Sequence, residues 1–357
     1  MLQSLLYRWI KSQFRKVFPS SSISTAFNTF ERNQIMKRIA VFTSGGDAPG
    51  MNACVRAVVR TALLHNIEVF GIVRAYAGMI SGDFIPLDFN SVSNIIQRGG
   101  TILKSARGEE FRTVEGREKA AAQLKKFNID GVIAIGGDGT FAGAQIFHKE
   151  HGIPFMGCPG TIDNDLFGTD NTIGYDTALN TVVEAVDKIR DTADAHDRLF
   201  FVEVMGRDAG FIAFRSGIAV GADSVLIPET ETFVDSLIKR LELGRSHHKT
   251  SSIIIVAEGD DGGGAYEVAR KVKEKYNHYE TKVTVLGHIQ RGGSPSAADR
   301  VLASMLGKAS VEALLKGRKN EMVGVINRKV VFTSFEKAIK HHQKINKDLL
   351  HLAESLA

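Results

Sequence analysis

The chain is short of cysteine, of long apolar runs and of one-sided charge, and each shortage removes a class of protein. Only two cysteines occur in 357 residues, Cys54 and Cys158. They lack metal-ligand spacing and the density of a disulfide-stapled secreted domain, so they read as reduced, packed side chains. No apolar stretch reaches about eighteen residues, which excludes a membrane-spanning helix and predicts a soluble chain. The formal net charge is +5, but residues 1–35 hold Arg8, Lys11, Arg15, Lys16 and Arg32 against Glu31 alone. The remainder is close to neutral, too balanced for a nucleic-acid-binding domain. Low complexity is confined to Ser20–Ser24, and no short-period repeat is present.

Residues 1–35 differ in character from the rest of the chain. Leu2, Leu5, Leu6, Trp9, Ile10 and Phe14 interleave with the basic side chains in a short amphipathic pattern, ahead of a Ser-rich, acid-poor tail. That composition fits an organelle-targeting presequence, a membrane-surface helix, or an appended start ahead of Met36.

From Lys37 short β-branched runs alternate with longer helix-period stretches, the pattern of parallel sheets covered by helices, so the fold class is α/β. The first strand is expected over 38–42, followed by Ser44-Gly45-Gly46-Asp47-Ala48-Pro49-Gly50 and a helix burying Val55, Val58, Val59, Ala62 and Leu63. A strand over 68–73 comes next. A strand over 131–135 then runs into Gly136-Gly137-Asp138-Gly139-Thr140 and a further helix. A second block follows, with helices over 175–191, 234–243 and 265–275 and strands over 199–204, 224–227, 253–256 and 283–286. A helix over 297–315, one strand over 323–331 and a closing helix over 335–352 complete the reading. Two lobes are expected, each a largely parallel sheet flanked by helices. The first comprises 36–174 with 290–340, the second 175–289 with 341–357, and 1–35 is an extension.

The chemistry-bearing motifs sit where strands end, the place where open α/β sheets bind ligands. Gly45–Gly50 has the glycine spacing of a Walker loop, but Met51-Asn52 stands where Lys and Ser or Thr are required, and the G-x-G-x-x-G order is missing too. What remains is either a phosphate-favouring turn at a helix N-terminus or a purely structural one. In Gly136–Thr140 the glycines admit a phosphate to the backbone, while Asp138 can ligate Mg²⁺ or simply cap a helix.

Pro159-Gly160-Thr161-Ile162-Asp163-Asn164-Asp165 carries the strongest signal. If extended, it sends Thr161, Asp163 and Asp165 to one side. One carboxylate can then take a hydroxyl proton while the other orients metal or water, although Asp-Asn-Asp is also ordinary turn chemistry. Arg207 in Met205-Gly206-Arg207 and Arg107 in Lys104-Ser105-Ala106-Arg107 can each stabilise a moving phosphoryl group, or be surface arginines. Gly287-His288-Ile289-Gln290-Arg291-Gly292-Gly293-Ser294-Pro295 suits an anionic substrate, whereas His247-His248 reads as a solvated loop. The chemistry these motifs describe together is magnesium-dependent phosphoryl transfer from a nucleoside triphosphate to a small anionic acceptor.

In this order and at these intervals the motifs resemble the ATP-dependent 6-phosphofructokinases of the bacterial type, over residues 37 to roughly 325. Gly-Gly-Asp-Gly alone also occurs in NAD and lipid kinases; Thr161-Ile162-Asp163-Asn164-Asp165 separates the families. The resemblance implies a phosphofructokinase-like fold and transfer of the ATP γ-phosphoryl group to the 1-hydroxyl of fructose 6-phosphate, the committed step of glycolysis, in a cytoplasmic homotetramer. It casts Asp163 as general base, Thr161 as a contact to the substrate or transferred group, Asp138 as the Mg²⁺ residue and Asp165 as support for both. Gly46, Tyr76, Arg107, Gly108, Gly139 and Thr140 fall at the ATP site. Met205, Gly206, Arg207, Glu258, Lys282, His288 and Arg291 fall at the sugar-phosphate site, with Arg198 reaching it from a neighbouring subunit. Pyrophosphate-using relatives carry Asp at the position of Gly139 and Lys at that of Gly160, so both glycines point to ATP.

The sequence departs from the family at Lys282, where Arg is usual, which exchanges a bidentate fork for a point charge. In the family's separate effector site, for ADP or phosphoenolpyruvate, Arg56, Arg60 and Arg190 are kept; Phe89 replaces a basic residue and Asp223 a glutamate. The competing readings are another Gly-Gly-Asp-Gly kinase, acting on NAD or a lipid, and a non-catalytic nucleotide sensor.

Overall fold

A computed structural model describes residues 36–106, 108–346 and 349. The expectations for residues 1–35 and for Arg107 therefore lie outside the described residues. Two sheets organise the rest. The first has seven strands in the order β11-β10-β5-β4-β1-β2-β3: β1 Arg38–Thr43, β2 Glu68–Ile72, β3 Phe84–Leu87, β4 Gly131–Gly136, β5 Phe155–Pro159, β10 Glu321–Ile326 and β11 Lys329–Ser334. Its central strands are parallel, and β3 and β11 close the edges antiparallel. The second, β6 Arg198–Val204, β7 Ser224–Leu226, β8 Ser252–Ala257 and β9 Glu280–Val285, is parallel throughout in the order β7-β8-β6-β9.

The central strands are buried on both faces, β4 along its whole length, which is why they read as continuous apolar runs rather than alternating ones. Helices cover the faces: α1 Met51–Leu64, α2 Ala75–Ser81, α3 Val114–Lys126, α4 Asp138–His151, α5 Tyr175–Asp194, α6 Phe211–Ala219, α7 Val234–Ser246, α8 Gly264–Lys275, α9 Ala297–Leu315 and α10 Phe335–Lys340. A cluster including Phe42, Phe141, Phe147, Phe155 and Phe335 fills one side of the first sheet, with Phe141 and Phe335 stacked at 5.1 Å. Leu199, Phe201, Ile254 and Val256 centre the core of the second. Each such side chain contributes about 1.5–3 kcal/mol on burial. Cys54 and Cys158 are free and buried, and their thiols meet: a hydrogen bond to Cys158, with burial, pushes the Cys54 thiol up. No described helix is long and apolar enough to cross a membrane.

Three expectations are corrected. The single strand over 323–331 is a hairpin, because Asn327 and Arg328 both adopt positive φ and reverse the chain between β10 and β11. The closing helix ends at Lys340, where His341 turns extended and His342 bridges to Leu166, while 347–348 and 350–352 of its expected span lie outside the described residues. Gly160–Asp165 is not extended: it bends at Ile162 and Asp163, and Asn164 sits at φ 55°.

Topology selects where a ligand can sit. In the first sheet the chain moves from β1 to β2 on one side, and β4 lies on the other. In the second, β8 and β9 flank β6 on opposite sides. At each reversal the loops leaving adjacent strands diverge and leave a crevice.

Candidate active site

The glycine turns after β1 and β4 flank the first crevice; Met205–Arg207 after β6 and His288–Arg291 after β9 flank the second. All four segments line one cavity of about 950 Å³. From the sequence-derived set it gathers Gly46, Tyr76, Gly108, Asp138, Gly139, Thr140, Thr161, Asp163, Asp165, Met205, Arg207, His288 and Arg291. Ala48–Gly50 do not reach it, so the helix N-terminus at the cavity is that of α4, which begins at Asp138, and not that of α1. Asn52, at the Walker position, is buried in another task. Its amide donates to the carbonyls of Arg98 and Gly99 and accepts from Ile102 N–H, fixing the loop that carries Thr101.

The acidic turn is built locally. Asn164 tolerates left-handed backbone, and its Oδ1 accepts from Thr172 N–H at 2.8 Å while its Nδ2 donates to Asp170 O. Thr172 Oγ1 donates to Thr161 O at 2.6 Å. Thus held, Thr161 and Asp163 are buried, with Asp163 only 3% exposed and its Oδ1 without any hydrogen-bond partner among the described residues. Burial, seconded by the charge of Asp165, pushes Asp163 up to about 6, against the opposing charges of Arg291 and Arg207. Burial and the charge of Asp138 also raise Asp165.

The facing cation is built by strain. Gly206 has φ 150°, and a Cβ there would collide with Ala209 O. Arg207 follows at φ 55°, costly for a non-glycine residue. Glu258 holds this turn: its Oε1 accepts from Arg207 N–H at 2.7 Å and Gly206 N–H at 3.2 Å. The guanidinium then reaches across to Asp138, Nη1 to Oδ1 at 3.5 Å. Gln290 Oε1 accepts from Met205 N–H, linking the loops after β6 and β9, and Arg291 donates to Asp47 O on the opposite wall.

Tyr76 is a wall rather than a free donor: its hydroxyl donates to Thr140 O at 2.6 Å and its ring stacks on Phe111 at 3.9 Å. Phe111, Arg112, Arg117 and Ile146, absent from the sequence expectations, line this end. The Arg117 guanidinium spends its donors within the protein, on Glu150 at 2.5 and 2.8 Å and on the carbonyls of Phe111 and Arg112. No local pattern marks it, since its partner is 33 positions away. A side chain at Gly139 would meet nothing within 4 Å, so open space remains there; one at Gly160 would press on Ile135 and Met51.

Arg198 and Lys282 do not line the cavity. Arg198 on β6 stands opposite Glu280 on β9, with Lys282 two residues farther along β9; both cations pair with Glu280, at 2.7 and 2.5 Å, and Lys282 then Arg198 hold that carboxyl down at about 2. The residues expected at an effector site lie elsewhere. Arg56 and Arg60 are one turn apart on α1, with burial, then the Arg60 charge, lowering Arg56. Arg60 lies over the Phe89 ring at 5.9 Å. Arg190 donates to Val220 O, and Asp223 pairs with Lys249 and accepts from Ile253 N–H.

A family model described as phosphofructokinase matches residues 38–314. An ATP-dependent 6-phosphofructokinase of Cytophaga hutchinsonii is 62% identical over 321 residues, 90% of this chain and 98% of that protein. ATP-dependent 6-phosphofructokinase 1 of Thermus thermophilus is 55% identical over 322 residues, covering 90% and 100%. Among solved structures, phosphofructokinase from Saccharomyces cerevisiae matches with TM-score 0.81 and 37% identity over 90% of this chain. This chain spans 47% of that yeast chain. A pyrophosphate-dependent phosphofructokinase from Marinobacter aquaeolei matches with TM-score 0.77 over 88% of this chain and 86% of that one, but at 23% identity, a likeness of fold alone.

Proposed function

The chain belongs to the phosphofructokinase family, and we propose that it transfers the γ-phosphoryl group of ATP to the 1-hydroxyl of fructose 6-phosphate, giving fructose 1,6-bisphosphate and ADP. The observation that carries this reading is the buried carboxyl of Asp163, its Oδ1 unpartnered among the described residues, in the lining of the same cavity as Arg207, His288 and Arg291. An acceptor hydroxyl would fill the empty hydrogen bond. With its pKa near 6, Asp163 is largely ionised at neutral pH yet basic enough to take the hydroxyl proton as the new O–P bond forms. Arg207 offers donors to the phosphoryl oxygens as charge moves through them. The open space at Gly139 leaves room for a nucleotide phosphate, which supports ATP as donor.

Mg²⁺ fits the oxygen-only donor set of Asp138 with Asp165 nearby, whose charges repel each other. Among the described residues no group of three or more His, Cys, Asp or Glu side chains could cage a metal. One or two carboxylates with substrate phosphates is the usual way magnesium is held. When bound, it supplies neutralisation of the β- and γ-phosphate oxygens. Arg198 and Lys282, outside the cavity, support an assembly in which a second copy completes the sugar-phosphate site.

The test offers the full chain ATP or pyrophosphate with fructose 6-phosphate, NAD or a lipid acceptor, and identifies the product by phosphorus NMR. Fructose 1,6-bisphosphate from ATP is expected. Nucleotide binding without turnover, or phosphorylation of NAD or lipid only, would overturn the proposal.

A further inference from the structure

The cavity draws Asp138, Asp163 and Asp165 from the first sheet, whereas Arg207, His288 and Arg291 come from loops of the second, so chemistry there depends on how the two sheets are held. At the joint lies Asp299, 1% exposed, in the first turn of α9. Helix α9 packs along α1 so closely that a Cβ at Gly307 would meet Cys54 O and Ala57, which ties α9 to the first sheet. Helix α5 packs against β6 and α6 of the second.

The N-terminus of α5 lacks a cap of its own: Gly174 stands there at φ 101° with no side chain to offer. Its orphan donors are satisfied from α9. Asp299 Oδ1 accepts from Gly174 N–H at 2.8 Å, and Oδ2 accepts from Thr177 N–H at 2.8 Å and Thr177 Oγ1 at 2.5 Å. The clasp is reciprocal. Ser296, the N-cap of α9, donates its N–H to Thr177 Oγ1 and its hydroxyl to Asp176. Among the described residues no Lys or Arg pairs with Asp299, so its charge rests on amides and on the helix dipole.

A local Ser or Asp would cap α5 equally well. Placing the cap on a residue 122 positions away instead joins the sheets. Both cation loops hang from this joint. Tyr175, the first residue of α5, donates its hydroxyl to Phe211 O just beyond the Arg207 turn. The segment carrying His288 and Arg291 runs directly into Ser296 and Asp299.

We infer that Asp299 is a positioning residue that locks α5 to α9 and so keeps Arg207, His288 and Arg291 at working distance from Asp163. This rests on the phosphofructokinase activity proposed for the cavity. Asp299→Asn keeps the shape but turns a donor toward amide donors. It is expected to raise KM for fructose 6-phosphate and lower kcat, together by about 10² in kcat/KM, while KM for ATP, held by the first sheet, stays within about twofold. Thr177→Val should give a smaller version of the same split, and Thr177→Ser should restore it; this pair carries the test if Asp299→Asn does not fold.

A capping role alone would lower the melting temperature and leave both KM values unchanged, which would overturn the inference. So would equal losses for both substrates. Wild-type protein assayed alongside separates the two ideas: absence of its turnover on fructose 6-phosphate refutes the function, whereas normal wild-type turnover with unchanged variant KM values refutes only the clasp.

Discussion

The two walls of the cleft are built by opposite means. On the first-sheet side, Thr161 and Asp163 are buried in a turn braced by Asn164 and Thr172, and Asp163 Oδ1 has no hydrogen-bond partner among the described residues. On the second-sheet side, the Arg207 side chain is 55% exposed and is held by its backbone, which Glu258 pins in a strained conformation. Desolvation tunes the acid, while geometry aims the cation. Neither wall alone holds both parts: Asp163 stands on one and Arg207 on the other.

The sharpest way to break this contrast is Asp163→Asn, expected to reduce kcat on the order of 10³-fold without loss of fold. Stability should move the other way. A carboxyl whose pKa is raised on folding favours the folded state below its unfolded pKa, and that contribution is lost as pH rises through about 6. The Asn variant is therefore expected to be more stable than wild type at pH 8, by roughly 1–3 kcal/mol, with the gain shrinking toward pH 4; thermal unfolding across pH reads it.

Arg207→Ala is expected to cost about 10² in kcat, since the lost contact belongs mainly to the transition state. A loss confined to KM would show uniform substrate binding instead. The same variant should shift the acid limb of the kcat/KM profile, which in wild type falls below about pH 6. Removing a cation that opposes protonation moves that break upward. The substrate phosphate titrates nearby, so the shift between variants is the diagnostic. The smallest effect is expected from Glu150→Ala, which frees the Arg117 guanidinium and loosens the Phe111 wall: KM for ATP should rise a few-fold, with KM for fructose 6-phosphate unchanged.

Much of the fold was legible because its signals are local. Strand, glycine turn and helix follow one another in sequence, and the helix over 297–315 has the bounds observed for α9. Asp138, Asp163 and Arg207 each sit in short motifs at strand ends. The acidic side chains converge as expected, though through a bend at Asn164 and not by strand alternation. What escaped is non-local. Edge strand β3 is half exposed, so it carries no buried run, and Arg328 in the β10–β11 turn is not a residue that announces positive φ. Arg117 and Asp299 act on partners 33 and 122 positions away, which no window of sequence brings together.

The claim that the two walls act as one unit is tested most directly by a double-mutant cycle in kcat/KM with Asp163→Asn, Arg207→Ala and the pair. If base and cation serve the same transition state, the double variant should lie within about tenfold of Asp163→Asn alone. Losses that simply multiply, with Arg207→Ala costing its full factor in both backgrounds, would contradict the account.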